Sequence, residues 1–296
     1  MKIFINDRLY TEDRAKVSVF DRGLLYGDGV YETMRSYNGR IFMLGEHLRR
    51  LRKSAELIDL KIIWSDKNLT DFLYRTLRAN KLKSAYIRLT VTRGIGPIGL
   101  DIKLCKNPTL MIITKKFIPY PDNYYTKGVK ICMSEIRRNH PLCIDPQIKS
   151  LNFLNNIIAR LHGKYFEYIM LNLNGYVTEG TVSNIFLVKD SVLLTPSIES
   201  GILPGITREI VISLARKNNI KTLETLIKPE QLCSADECFL TNTSIEILPV
   251  KKIDTRQFSS PGKITQFVQS EFKNLVRRKL DKDKVILYNM TKDSST

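Results

Sequence analysis

Pro146-Gln-Ile-Lys-Ser-Leu-Asn-Phe-Leu-Asn-Asn-Ile-Ile-Ala-Arg160 is unlike the other lysine-bearing stretches of this 296-residue chain. Most of its lysines stand among other charges. Lys149 instead follows Pro146 and Ile148 and leads into an apolar pattern at helical spacing, Leu151, Leu154, Ile157, Ile158 and Leu161. A lysine at the edge of a packed element has two readings. It snorkels, with its stem on the apolar surface and its head in water. Alternatively it is desolvated, which lowers its pKa and frees the amine for covalent chemistry with a carbonyl. This stretch alone leaves both open.

Composition sets the outer limits. Hydrophobic content of 43% and charged content of 26% are ordinary for a globular chain. The length accommodates one large domain or two of ordinary size. No run of about eighteen apolar residues occurs, so no membrane span is expected. Met1-Lys-Ile-Phe-Ile-Asn-Asp-Arg8 has no signal-peptide core and reads as a first strand. Five cysteines, none in a Cys-x-x-Cys pair, point to reduced thiols and a cytoplasmic protein. The formal charge of +17 admits a basic nucleic-acid-binding protein as a reading from another class. The excess is spread along the chain, however. Only Lys273 to Lys284 approaches a cluster, and no recognised module accompanies it, so nucleic acid is not the expected partner. Three histidines, His47, His140 and His162, without ligand spacing leave little material for a metal site, and none is expected.

Upstream of Lys149, residues 2–6 and 15–20 read as short strands separated by polar turn residues. The glycine-punctuated loop Asp21–Gly29 feeds a strand from Val30 to Tyr37, which Asn38-Gly39 turns into Arg40–Met43, a strong hairpin signal. The two-residue period puts Tyr31, Thr33, Arg35 and Tyr37 on one face, as a small-molecule pocket or a half-exposed sheet would have it. Leu44, Leu48, Leu51, Ala55 and Ile58 mark a helix, with His47, Arg50 and Ser54 on its other side. A second helix runs from an Asp66 N-cap to about Ala79. Strands follow at 85–93 and 109–114. In the first, Tyr86 and Arg88 are neighbours on the polar face, a pair of donors suited to a carboxylate. Gly94-Ile-Gly-Pro-Ile-Gly99 has the letters of a dinucleotide fingerprint but carries Pro97 and precedes no helical pattern, so it reads as a loop.

The stretch 120–126, rich in proline and tyrosine, is the expected linker between a domain at 1–119 and another at 127–280, with a polar tail at 281–296 in which Val285–Tyr288 has the means to dock. Past the linker come a strand at 128–135, a turn-rich loop to Pro146, and the helix after Lys149. Strands at 168–173, 176–179, 184–188 and 192–195 form an expected antiparallel meander. Gly205-Ile-Thr207 opens a helix whose free N–H groups, hydroxyl and dipole suit a phosphate. A hairpin around Thr241-Asn-Thr-Ser244 and an amphipathic helix through Ile264, Phe267, Phe272 and Val276 close the pattern.

Six motifs in this order resemble the class IV (fold-type IV) pyridoxal-phosphate aminotransferases, and within that family the branched-chain amino acid aminotransferases. They are Asp21–Glu32, Glu46–Leu51, Ile148–Asn152, Thr178–Phe186, Gly201–Arg208, and Ala235–Glu237 with Glu246–Val250. The resemblance implies an α/β chain, D-amino acid aminotransferase-like in fold. An α+β N-terminal domain and a larger α/β C-terminal domain clasp pyridoxal 5'-phosphate, in a homodimer. It implies that Lys149 binds the cofactor and moves the proton between substrate Cα and cofactor C4′. It implies that Glu179 holds the pyridine nitrogen protonated. Arg50, Ile206, Thr207 and Thr243 match the phosphate cradle, and Leu203 matches a leucine under the ring. Tyr31, Arg35, Tyr86, Arg88, Thr243 and Ser244 match the substrate side.

The activity implied is transfer of the amino group of L-branched-chain amino acids to 2-oxoglutarate, in branched-chain amino acid biosynthesis. Ile98 and Leu100 stand where D-amino acid aminotransferases carry arginine and histidine. Thr33 in place of a glycine, and Phe153 in place of a tyrosine, depart from the branched-chain pattern. Both are compatible with an aminodeoxychorismate lyase, which forms 4-aminobenzoate.

Overall fold

The computed structural model describes residues 1–161 and 163–292, with side chains through Leu280. Asn6, at a left-handed φ of 55°, folds the first strand, β1 (Lys2–Ile5), back onto β2 (Arg8–Thr11). The sequence placed a strand at 15–20 instead. Those residues form no strand, and Val17, Val19 and Phe20 turn their apolar groups outward. After the short α1 (Arg22–Tyr26) come β3 (Gly29–Tyr37) and β4 (Arg40–Ile41), joined through Asn38 and Gly39, both at positive φ. Two helices, α2 (Leu44–Glu56) and α3 (Asp66–Ala79), then lead into β5 (Ala85–Thr92) and β6 (Thr109–Lys116). Ser65 caps α3 in a capping box with Asn68, one residue before the expected Asp66.

These strands form a six-stranded antiparallel sheet, β2-β1-β6-β5-β3-β4. Its core lies under α2 and α3, where Phe4, Met34, Leu51, Leu69 and Leu73 are fully buried. Each such burial stabilises the fold by about 1.5–3 kcal/mol. The loop at 93–101 leads only into a single 3-10 turn, as its composition predicted.

The segment 120–126 is not an open linker. It carries α4 (Asp122–Lys127), and Tyr120, Tyr124 and Tyr125 pack against the second sheet. That sheet is built from β7 (Val129–Met133), β8 (Glu167–Leu171), β9 (Val177–Gly180), β10 (Asn184–Lys189), β11 (Val192–Pro196), β12 (Thr222–Thr225), β13 (Glu237–Asn242), β14 (Glu246–Ile253) and β15 (Arg256–Gln257). The order is β12-β11-β10-β13-β14-β7-β8-β9, with β15 on β14. The expected meander from β8 to β11 is split. β8–β9 lies at one end of the order and β10–β11 near the other, because β13 takes the place beside β10. Pairing is mixed, with β14–β7, β7–β8 and β11–β12 parallel.

The helix after Lys149 is much shorter than its apolar pattern predicted: α5 spans only Leu154–Ile158. Leu154, Ile157, Ile158 and Leu161 face outward, and Asn156 is the buried member. Next come α6 (Ile206–Lys217), α7 (Pro229–Ser234) and α8 (Lys263–Lys292). The first and last of these cover a third core containing Phe186, Val211, Phe239 and Phe272. α8 runs past 281, where the sequence predicted the end of regular structure. The side chains of Val285–Tyr288, on which the expected docking turns, and residues 293–296 lie outside what is described. No helix among the described residues is long and apolar enough to cross a membrane.

Candidate active site

Lys149 is held by strand-like pairing across the two halves of the chain. Its carbonyl accepts from the Tyr31 N–H at 3.0 Å, and the Leu151 N–H donates to the Gly29 carbonyl at 2.9 Å. Its own N–H donates to the Ser54 hydroxyl at 3.0 Å, from α2. Gly29 permits the approach, since a Cβ there would lie 2.7 Å from the Val91 carbonyl oxygen. The lysine side chain enters a cavity of about 350 Å³, with its amine 4.6 Å from the centre of the Tyr31 ring. Desolvation lowers that amine from its ordinary 10.5 to about 8, and Arg50 acts in the same direction against Glu32 and Glu179. The sign gives a test. Below about pH 8 the amine is protonated and unreactive; above it the free amine predominates. Modification of Lys149 by an aromatic aldehyde, trapped by reduction and followed by mass spectrometry, should rise up to about pH 8 and level off. A rate still climbing at pH 10 would contradict the shift.

β3 divides its side chains between two tasks. Glu32 and Met34 point into the core under α2, while Tyr31 and Thr33 face the cavity. Glu32 is fully buried and binds Arg50 twice, at 2.7 and 2.8 Å, and His47 Nδ1 at 2.7 Å. Burial works to raise the Glu32 carboxyl, but Arg50 and His47 prevail and hold it at about 2. Arg50 also donates to the Pro204 carbonyl at 3.0 Å, which ties α2 to the loop before α6. Of its five N–H groups two keep no protein partner among the described residues. Glu32→Gln leaves the Arg50 cation buried without its carboxylate, so a loss of about 3–5 kcal/mol in urea unfolding is expected at neutral pH. Because the folded carboxyl lies below its ordinary 4.5, this contribution is present above about pH 4.5 and is lost as pH falls toward 2.

On the opposite wall, Glu179, next to last in β9, is almost fully buried. It accepts from Arg138 at 2.7 Å, from Asn184 Nδ2 at 2.9 Å and from the Leu203 N–H at 3.2 Å. Burial outweighs the Arg138 cation and leaves this carboxyl above its ordinary value. The adjoining turn is fixed by Glu167, which accepts from the Thr181 and Val182 N–H groups and the Thr181 and Ser183 hydroxyls. At α6, the Gly205 N-cap offers no side chain to the first N–H groups of the helix. A Cβ there would come within 1.9 Å of Asn184 Oδ1, so only glycine lets the helix start sit this close. The Thr241 hydroxyl, beside it in the cavity, is buried without a partner.

The structure thus brings Lys149, Arg50, Glu179, Leu203, Ile206, Thr207, Thr243, Tyr31, Tyr86, Arg88 and Ser244 to one cavity. Arg35 is the exception. It faces the same way as Tyr31 and Thr33 but does not line the cavity, because Glu246 of β14 takes its guanidinium in an ion pair at 2.5 Å. Arg88 lies across from Thr33 in the register, 3.8 Å over the Tyr31 ring, and no carboxylate among the described residues pairs with it. Sequence reasoning missed Arg138, Asn184 and Glu32. A signal existed for Glu32, since it alternates with Val30 and Met34 on an apolar face and a charge there requires a partner.

Residues 29–253 match the family model described as "Amino-transferase class IV". The "Putative branched-chain-amino-acid aminotransferase" of Methanocaldococcus jannaschii is 42% identical over 280 residues, spanning 93% of this chain and 96% of the relative. A D-alanine aminotransferase of Bacillus licheniformis is 34% identical, over 93% of this chain and 97% of its own. Among solved structures, the branched-chain aminotransferase of Thermoproteus uzoniensis with norvaline superposes at a TM-score of 0.87. That match has 36% identity and covers 93% of this chain and 94% of the other. Enzymes of this kind use pyridoxal phosphate, and another solved branched-chain aminotransferase holds pyridoxamine 5'-phosphate. With its motifs, fold and cavity in agreement, the chain belongs to the class IV aminotransferases.

Proposed function

We propose that this aminotransferase moves the amino group of L-branched-chain amino acids to 2-oxoglutarate. The observation that carries the reading is Arg88. It is a cation without a carboxylate partner among the described residues, next to Lys149, in a cavity that also offers Ile144, Phe153 and Val182. A substrate carboxylate suits the first and an aliphatic side chain the others. The 42% relative supports this choice. So do Ile98 and Leu100, which offer no charge where a D-amino acid enzyme carries arginine and histidine.

The residues fit the cofactor. Arg50, with two N–H groups to spare, the Ile206 and Thr207 N–H groups, the Thr207 hydroxyl and Thr243 would hold the phosphate. Leu203 would pack on the ring. Pyridoxal phosphate supplies the carbon that captures the substrate amine and the ring that accepts the electron pair left at Cα. Glu179, with a carboxyl raised by burial and steadied by Arg138, would hold a proton on the ring nitrogen. Lys149, with an amine near pKa 8, would take the proton from the substrate Cα and return it at C4′. Tyr31, Tyr86 and Arg88 would orient the carboxylate, with Ser244 closing the substrate side. In this reading residues 1–119 and 127–280 act as two domains joined by 120–126. The reaction run from glutamate serves branched-chain amino acid biosynthesis. The five free thiols suit a cytoplasmic enzyme.

The outward Leu154, Ile157, Ile158 and Leu161, and separately Ile98 and Leu100 at 77% exposure, are apolar groups that a second copy would cover. A homodimer of twice 34.1 kDa is expected by light scattering on a sizing column; a monomer at micromolar concentration would refute it.

Substrate choice is tested with purified, cofactor-loaded protein given L-leucine or D-alanine with 2-oxoglutarate, and separately aminodeoxychorismate. Faster glutamate formation from L-leucine is expected. Preference for D-alanine, or 4-aminobenzoate without glutamate, would overturn the reading.

A further inference from the structure

Arg35 and Glu246 join the two sheets beside the cavity without entering it. Arg35 Nη1 donates to Glu246 Oε1 at 2.5 Å, and the Tyr37 hydroxyl donates to the same oxygen at 2.7 Å. The Arg35 guanidinium lies 4.3 Å from the Tyr37 ring centre and 3.7 Å from that of Phe117. A guanidinium stacked on rings and bonded to a carboxylate is held in one geometry. With 15% and 18% of the two side chains exposed, solvent screening is limited.

Glu246 also closes the β13–β14 hairpin. It pairs with Asn242 across the Thr243-Ser244-Ile245 turn, at a left-handed φ of 56°. A glutamate keeps that conformation only where its surroundings impose it. Asn242 braces the turn from within, accepting the Ser244 and Ile245 N–H groups at 2.8 and 2.9 Å. The external tie comes from β3. Alternation along this one strand gives Tyr31 and Thr33 to the cavity and Arg35 and Tyr37 to Glu246. One wall of the cavity is therefore bolted to the hairpin that forms the other. Tyr125 of α4 faces the same carboxylate, its phenol raised to about 12 by burial first and Glu246 next.

We propose that Glu246 and Arg35 are positioning residues that fix the Thr243-Ser244 turn relative to Tyr31 and Thr33, and so set affinity for the substrate. The proposal rests on the reading that substrate lies between these walls. Of the groups assigned to the cofactor only Thr243 stands on this turn; Lys149, Arg50, Glu179 and the start of α6 stand on other elements, so most of the cofactor's hold is spared when the tie is cut.

The test uses cofactor-loaded Glu246→Ala, Glu246→Gln and Arg35→Met, each checked for native circular dichroism. In Glu246→Ala the KM for the amino donor should rise ~10-fold with kcat changed less than about threefold, the scale of a small displacement at the substrate. The absorbance of the bound cofactor should not change. Glu246→Gln, which keeps an acceptor for Tyr37 and Arg35, should recover part of the affinity. The double variant Arg35→Met with Glu246→Ala should be no worse than Glu246→Ala alone, as expected for a coupled pair. Hydrogen exchange at the Ser244 and Ile245 amides should quicken, and at Ile206 and Thr207 stay constant.

Folded variants with unchanged KM and unchanged exchange at 244–245 would overturn the proposal, as would loss of the cofactor band in step with kcat. If Glu246→Ala does not fold, Glu246→Gln and Tyr37→Phe carry the same measurements. Should the wild type prefer D-alanine, the substrate reading fails, while KM for that donor and the exchange at 244–245 still judge the tie.

Discussion

Lys149→Ala is expected to lower turnover by about four orders of magnitude, the upper end of what a positioned acid–base group contributes. The reason is local. Among the described residues that line the cavity, Lys149 is the lysine, and desolvation brings its amine to about 8, within reach of neutral pH. The flanking backbone bonds from Tyr31, Leu151 and Ser54 involve main-chain atoms of this stretch, so the variant retains them. Its stability should not fall. A depressed lysine pKa means that the folded state disfavours the charged amine at neutral pH, and alanine removes that conflict. Steady-state kinetics with cofactor in excess, beside a thermal melt, checks both halves. Activity within tenfold of wild type would place the proton transfer elsewhere.

The second large effect is expected at Glu179. Glu179→Gln should lower kcat by about 10²–10³-fold, the range seen when a preorganised electrostatic group is removed from a reacting centre. Burial keeps this carboxyl above its ordinary value in spite of Arg138, and the group therefore favours an added positive charge nearby. A protonated ring nitrogen is such a charge; a neutral amide cannot hold it. KM for the amino donor should move little, because Glu179 stands on β9 of the second sheet and Tyr86 and Arg88 on β5 of the first. Equal effects on KM and kcat would assign Glu179 to substrate binding instead.

Local chemistry made much of this site legible in the sequence. Asn38-Gly39 fixed the hairpin that carries Tyr31 and Thr33, and the two-residue period put Tyr86 and Arg88 beside them. The start of α6 was legible only together with the motif around it, because every helix presents free N–H groups at its start. What escaped reading depends on contacts distant in sequence. Arg35 points the way its strand predicts, but its partner Glu246 lies 211 residues on, and no local pattern announces that pair. Arg138 sits in a turn-rich loop, where an arginine ordinarily faces water, and only the return of β9 makes it the neighbour of Glu179. The apolar run after Lys149 misled for a related reason. Leu154, Ile157 and Ile158 have helical spacing, yet their side chains stay 44% to 62% exposed. A periodic pattern reports that a face is apolar, without saying which surface covers it.

The identity of the lysine that carries the cofactor is open to direct measurement. The protein is loaded with pyridoxal phosphate and reduced with borohydride, and the tagged peptide is mapped by mass spectrometry. The added mass is predicted on Lys149, within the peptide that ends at Arg160, and is expected to be lost from that position in Lys149→Ala. A tag on any other lysine, or the same yield of tagged protein from Lys149→Ala, would contradict it.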